Sequence, residues 1–237
     1  MRITINDREV IIPSSLSEFS LGQRIAFQIE YGNSLDARLK EIFEIQDEIR
    51  RELELMEFNA EKMFSTFAFF AGCTVDSLKE SDFVDDIFAI YQASLAALFH
   101  EEDSMEFHNS FVWNGANWYL HPPELHYGSK LSFGQLIDSK QVVADIAAFA
   151  GGNWEALQRI CTIYLRKEGE EYDESFLYEN SDRLNEMLDL PMNIALTVAF
   201  FLSSSINIYL NSSPSSPRLK LNPQENTQMP IMKTGVG

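Results

Sequence analysis

The chain has two cysteines, four histidines and 18 basic residues in 237 positions, and each shortage excludes something. Cys73 and Cys161 stand alone in apolar stretches (FAFFAGCTV and LQRICTIYL), so neither a disulfide framework nor a cysteine metal signature is present. They read as two buried thiols in reducing surroundings. The histidines offer little more. HPPELH holds His121, Glu124 and His126, with His108 upstream. This is neither HExxH nor a helical i, i+4 pair, and two prolines interrupt it, so an ordinary polar loop is expected in place of a zinc site. No GxSxG, GxxxxGK[ST] or GxGxxG occurs.

Basic residues are outnumbered by 36 acidic ones, for a formal net charge of −18. Such a balance argues against general affinity for nucleic acid or an anionic membrane surface, both of which attract excess Lys and Arg. It suits a surface past which DNA must slide without sticking. Residues 1–217 carry a net −20, and the last twenty residues a net +2 from Arg218, Lys220 and Lys233 against Glu225. The stretch from Asn193 to Leu210 is uncharged and about long enough to span a bilayer. It contains Asn193, Thr197, Ser203, Ser204, Ser205 and Asn207, however, and reads as a buried helix. The opening MRITINDREV reads as strand and not as a signal peptide.

What is present is folding composition: 45% hydrophobic and 12% aromatic, with enough length for a sizeable core. RITINDREVIIP predicts a hairpin turning at Asn6-Asp7, and FVWNGANWYLHPP one turning at Asn114-Gly115. Each is followed by a polar spacer and then by nearly the same pentapeptide, FSLGQ at 19–23 and LSFGQ at 131–135. Ser20 with Gln23, and Ser132 with Gln135, have the spacing of a capping box, so both pentapeptides read as helix starts. In the second, Leu131 and Leu136 can add a hydrophobic staple.

Helical periodicity follows each pentapeptide. Leu35, Leu39, Ile42, Ile49, Leu53 and Met56 alternate at three and four spacing, with Gln46 in the missing place. This predicts one long amphipathic helix with those residues along its seam. Phe58 to Ala71 predicts a second helix stopped by Gly72, and Ser81 caps a third. In the second half a helix from Ser132 is expected to break at Gly151-Gly152. Asn153 caps the next, and Pro191 opens the last. The expected fold is therefore mainly α, in two loosely repeated units, 1–105 and 106–211. Each is a short β-hairpin followed by a capped helix and further packed helices. An extended arm, 212–237, completes the chain, rich in Pro and Ser and without periodicity.

Two groups of residues are candidates for contact with a partner. In the arm these are Pro217, Arg218, Leu219, Leu221 and Ile231, which can cross to a neighbouring subunit. On the second hairpin they are Trp113 and Trp118. Core packing is the first expectation for this aromatic hairpin and a partner-facing patch the second. Carboxylate runs such as Glu170, Glu171, Asp173 and Glu174 read as solvated faces or helix starts. Acid–base chemistry there would need burial to separate their pKa values.

Four segments in order carry a resemblance: FVWNGANWYL, LSFGQLID, YLRKEGEEYDE and LPMNIALTVAFFL. Together they resemble small tail-region proteins of tailed bacteriophages, including the crAss-like phages of gut bacteria. Residues 111–210 carry the likeness best, and Lys167 departs from it where proline is common. The resemblance implies a non-enzymatic structural subunit of the virion, a ring or connector component of the tail, or alternatively a tail-assembly chaperone absent from the finished particle. It implies no catalytic residues, cofactor or metal. The partners it implies are other copies of the chain and other tail or portal proteins, with no specific nucleic-acid or membrane binding. The place it implies is the virion tail, reached from the host cytoplasm during assembly.

Overall fold

Apolar residues spaced three and four apart build most of the fold as helices, in a computed structural model that describes residues 1–5, 8–80, 84–98, 108–121 and 144–212. Strands β1 (Arg2–Ile5) and β2 (Arg8–Ile11) pair antiparallel, with Ile3 opposite Val10. The chain then turns into α1 (Leu21–Phe27) through the expected capping box. Ser20 accepts from the Gln23 amide at 3.2 Å, and the Gln23 side chain accepts from the Ser20 amide at 2.9 Å. The second pentapeptide, 131–135, lies outside the described residues, as do Ser81 and the turn at Asn6-Asp7.

A single π-helical turn, Gln28–Gly32, joins α1 to α2 (Asn33–Phe43). The extra residue folds the Gln28 side chain over the bulge. There it accepts from Arg24 at 2.9 Å and donates to Asn33 at 3.3 Å and Asp36 at 2.7 Å. A Cβ at position 32 would stand 2.5 Å from Gln28 Oε1, so any other residue there would push this side chain out of its bonds.

The long helix expected through 35–56 is broken instead. Asp47 leaves the helical region and accepts from the Arg50 amide at 2.8 Å, capping a new helix, α3 (Glu48–Ala71). Unbroken, residues 21–71 would form a rod about 75 Å long with most of its apolar side chains in water. Folding back at 44–47 sets α3 against α2, so that Phe58 and Leu55 pack with Leu35, Leu39 and Ile42. Arg38 ties the pair at 2.5 Å to Glu61, 3.6 Å to Glu57 and 3.8 Å to Glu54. Gly72 ends α3 at φ 61°, the left-handed cap expected of it. Short helices α4 (Val75–Lys79), α5 (Val84–Ile90) and α6 (Ala96–Leu98) follow, the last two joined by a π-helical turn. Val10, Ile12, Met63, Phe67, Leu78, Ile87 and Leu95 share one core among these elements.

The second hairpin forms as Asn114-Gly115 dictates, with both residues at positive φ (50° and 71°) between β3 (Ser110–Trp113) and β4 (Ala116–Leu120). Residues 144–150 form α7, which stops at Gly152 (φ 93°). Asn153 then caps α8 (Trp154–Tyr164), accepting from Ala156. The chain passes directly into β5 (Leu165–Lys167), which pairs with β4 as a third antiparallel strand. After α9 (Asp182–Glu186), Pro191 precedes α10 (Met192–Ser212), whose Ile194, Ala195, Val198, Ala199 and Leu202 are buried at helical spacing. Among the described residues no helix is long and apolar enough to cross a membrane.

The chain does not divide into two self-contained cores at residue 105. Phe19, Leu21 and Ile25 belong to the core built by Trp118, Leu157, Ile160, Met187 and Val198. Backbone bonds stitch the join: the Leu21 amide donates to Leu190 and the Met192 amide to Phe19, each at 2.8 Å.

Candidate functional site

The hairpin tryptophans are core residues. Trp113 is 8% and Trp118 1% exposed, the rings lie 4.9 Å apart, and the Trp118 indole donates to the Trp113 carbonyl at 3.1 Å. A partner-facing patch here is corrected to packing, because both rings are buried against each other and the Trp118 indole is satisfied internally. Pro217, Arg218, Leu219, Leu221 and Ile231 lie outside the described residues.

The acidic segment after β5 holds the fold together around one buried cation. Arg183 donates to Glu170, to Glu186 at 3.2 Å and to the Leu165 carbonyl at 3.2 Å. Its guanidinium carbon sits 4.5 Å from the Trp118 ring centre and 5.1 Å from that of Phe176. Glu170 also accepts from the Lys167 amide at 2.9 Å. Asp173 caps the turn at Glu174–Leu177, and the Ser175 amide bonded to it lowers its pKa. The YLRKEGEEYDE motif thus works as a structural clasp. Arg24 is a second inner cation, 4.1 Å from the Trp154 ring centre and 5.6 Å from that of Phe27. Burial pushes its pKa down to about 10, partly opposed by Asp36, and it remains charged at neutral pH. His121 is bound through its backbone amide to Tyr164, while Glu124 and His126 lie outside the described residues.

The surface that calls for a partner lies elsewhere, on the first half of α3. Ile49 is 74%, Leu53 58% and Met56 68% exposed, and Ala60 continues the line. Residues on an α-helix advance about 100° each, which places all four within about 40° of the direction opposite Phe58. Phe58 is the residue that α3 turns towards α2, so this stripe points directly away from the chain's own core. Arg50 and Glu57 flank it on one side, Glu52 and Asn59 on the other, all exposed. Isolated exposed apolar residues, such as Val112 on β3, are ordinary features of a protein surface. A continuous stripe at four and three spacing is the pattern of a helix–helix seam.

Sequence periodicity identified these residues but assigned them to the interior seam of one helix. The break at Asp47 reassigns them: Leu35 and Ile42 stay buried, and Ile49, Leu53 and Met56 turn out to solvent. The readable signal was Asp47 itself, a good N-cap residue three positions before Arg50 and next to Gln46, the gap in the apolar repeat. Comparison with protein-family models, with curated proteins and with solved structures returns no match.

Proposed function

We propose that this protein is a non-enzymatic structural subunit that acts by assembling with other protein chains, and that its setting is the tail of a bacteriophage, as a ring or connector component. The observation that carries the assembly reading is the Ile49, Leu53 and Met56 stripe, an apolar helix face with no occupant among the described residues. The phage setting rests on the order of the four sequence segments in 111–210. The acidic body, with net −20 over residues 1–217, suits a lumen through which DNA passes. The stripe alone would join copies two by two, and closing a ring of many copies takes a further, heterologous contact. A tail-assembly chaperone would use the same stripe to hold an unfinished tail protein and would be missing from the finished particle.

Quantitative mass spectrometry of purified particles separates the two. A virion subunit is found at fixed stoichiometry to the portal and tail proteins. Its absence from particles, with co-purification of a nascent tail protein from infected cells, would establish the chaperone in its place.

A further inference from the structure

The exposed stripe on α3 carries its own charge pattern, and that pattern names an occupant. We infer that the first half of α3 pairs with the same segment of a second copy of this chain, antiparallel, about a two-fold axis passing level with Glu54 and Leu55. This deepens the assembly reading above, on which it rests for its role but not for its test.

The heptad register sets which side chains would meet. With Leu53 and Ala60 at a positions, Ile49 and Met56 fall at d, Arg50 and Glu57 at e, and Glu52 and Asn59 at g. All of these side chains are exposed, and of them Glu57 reaches back to α2, through Arg38. In an antiparallel pair, a faces d and e faces e. Leu53 then meets Met56 of the second copy, and Ile49 meets its Ala60. Along one flank Arg50 faces Glu57 of the second copy, and the two-fold repeats that pair, so opposite charges meet twice. Along the other flank Glu52 faces Asn59, with no like-charge contact. In a parallel pair, g faces the e position of the next heptad, which brings Glu52 against Glu57 of the second copy twice. The sequence therefore favours the antiparallel arrangement and penalises the parallel one. Glu57 already lies 3.6 Å from Arg38 on its own chain, so in the pair it bridges two guanidinium groups. The contact is isologous, as a two-fold requires.

Two short helices bury less than the roughly 1,000 Å² of a tight complex, so the isolated pair forms at tens to hundreds of micromolar and gains from repetition in an assembly. Sedimentation velocity of the full chain between about 10 and 300 µM covers that range. The wild type is expected to pass from monomer to dimer across it. Leu53→Glu, at a solvent-exposed position, should remain monomeric with an unchanged circular dichroism spectrum. Arg50→Glu and Glu57→Lys should each weaken the dimer by about tenfold, since each turns two attractive contacts into repulsive ones. The double variant Arg50→Glu/Glu57→Lys should return to within about twofold of wild type. A wild type that stays monomeric throughout overturns the inference and leaves the stripe to a different protein. So does a Leu53→Glu variant that dimerises like wild type. A Glu57→Lys dimer tighter than wild type overturns the antiparallel geometry. Dimerisation in solution with the chain missing from particles would remove the virion role and leave the pairing standing, so the two proposals fail separately.

Discussion

The amide of Leu21 donates to the carbonyl of Leu190 at 2.8 Å, joining the first turn of α1 to the residue before Pro191. One position on, a Cβ on Gly22 would stand 2.8 Å from the Leu188 carbonyl oxygen and 3.1 Å from its Cβ. The glycine of the first pentapeptide thus serves a close approach between two parts of the chain 166 residues apart in sequence. Gly22→Ala must push backbone from backbone, and a cost of about 1–3 kcal/mol is expected in urea unfolding. A variant as stable as wild type would show that the two segments do not meet this closely.

The capping box predicts a smaller and separable effect. Ser20→Ala removes the acceptor for the Gln23 amide and should destabilise by about 1 kcal/mol, while Ser20→Asp should retain most of the stability. Equal loss in both would place the serine's contribution elsewhere.

These local features were legible in the sequence because their chemistry is local. Ser20 with Gln23, Asn114-Gly115, Gly72 and Asn153 each satisfy backbone groups within a few residues, and each behaves as its spacing dictates. The break at 44–47 was not legible from periodicity, since Gln46 interrupts the apolar repeat by one place and a continuous helix fits the letters equally well. Packing of Phe58 against Leu35 and Ile42 decides it, and that is a tertiary contact. The same holds for the halves: two similar strings of elements read as two units, but Phe19 and Leu21 complete the core around Trp118. For the α3 stripe, the sequence supplied the residues and only the fold shows which way they face.

Arg183 makes the next test. Its side chain is 5% exposed and bridges Glu170, Glu186 and the Leu165 carbonyl beneath Trp118. Arg183→Ala leaves Glu170 to the Lys167 amide and Glu186 to the Lys167 ammonium, empties the space beneath Trp118, and should cost about 2–3 kcal/mol, accompanied by a red shift of tryptophan emission. If the variant lost less than about 1 kcal/mol, the clasp would contribute only what a surface pair does.

The two thiols differ in burial, and labelling should follow. Cys161 is fully buried and its pKa is raised by that burial, so it should react with a thiol reagent at pH 8 only as fast as the protein opens. Cys73, half-buried after the Gly72 cap, should react first. The unfolded thiol ionises at lower pH than the folded one, so this residue's contribution is intact below the unfolded pKa and declines as pH rises above it. Urea midpoints for wild type and Cys161→Ala between pH 7 and pH 10 should therefore converge as pH rises.

The central claim, that the first half of α3 is the surface through which this protein assembles, is tested most directly by hydrogen exchange read peptide by peptide at low and high protein concentration. Peptides covering 48–60 should gain protection on concentration, those covering α8 and α10 should not change, and Leu53→Glu should abolish the gain. Exchange in 48–60 that is indifferent to concentration, or protection that appears only on another element, would contradict the claim.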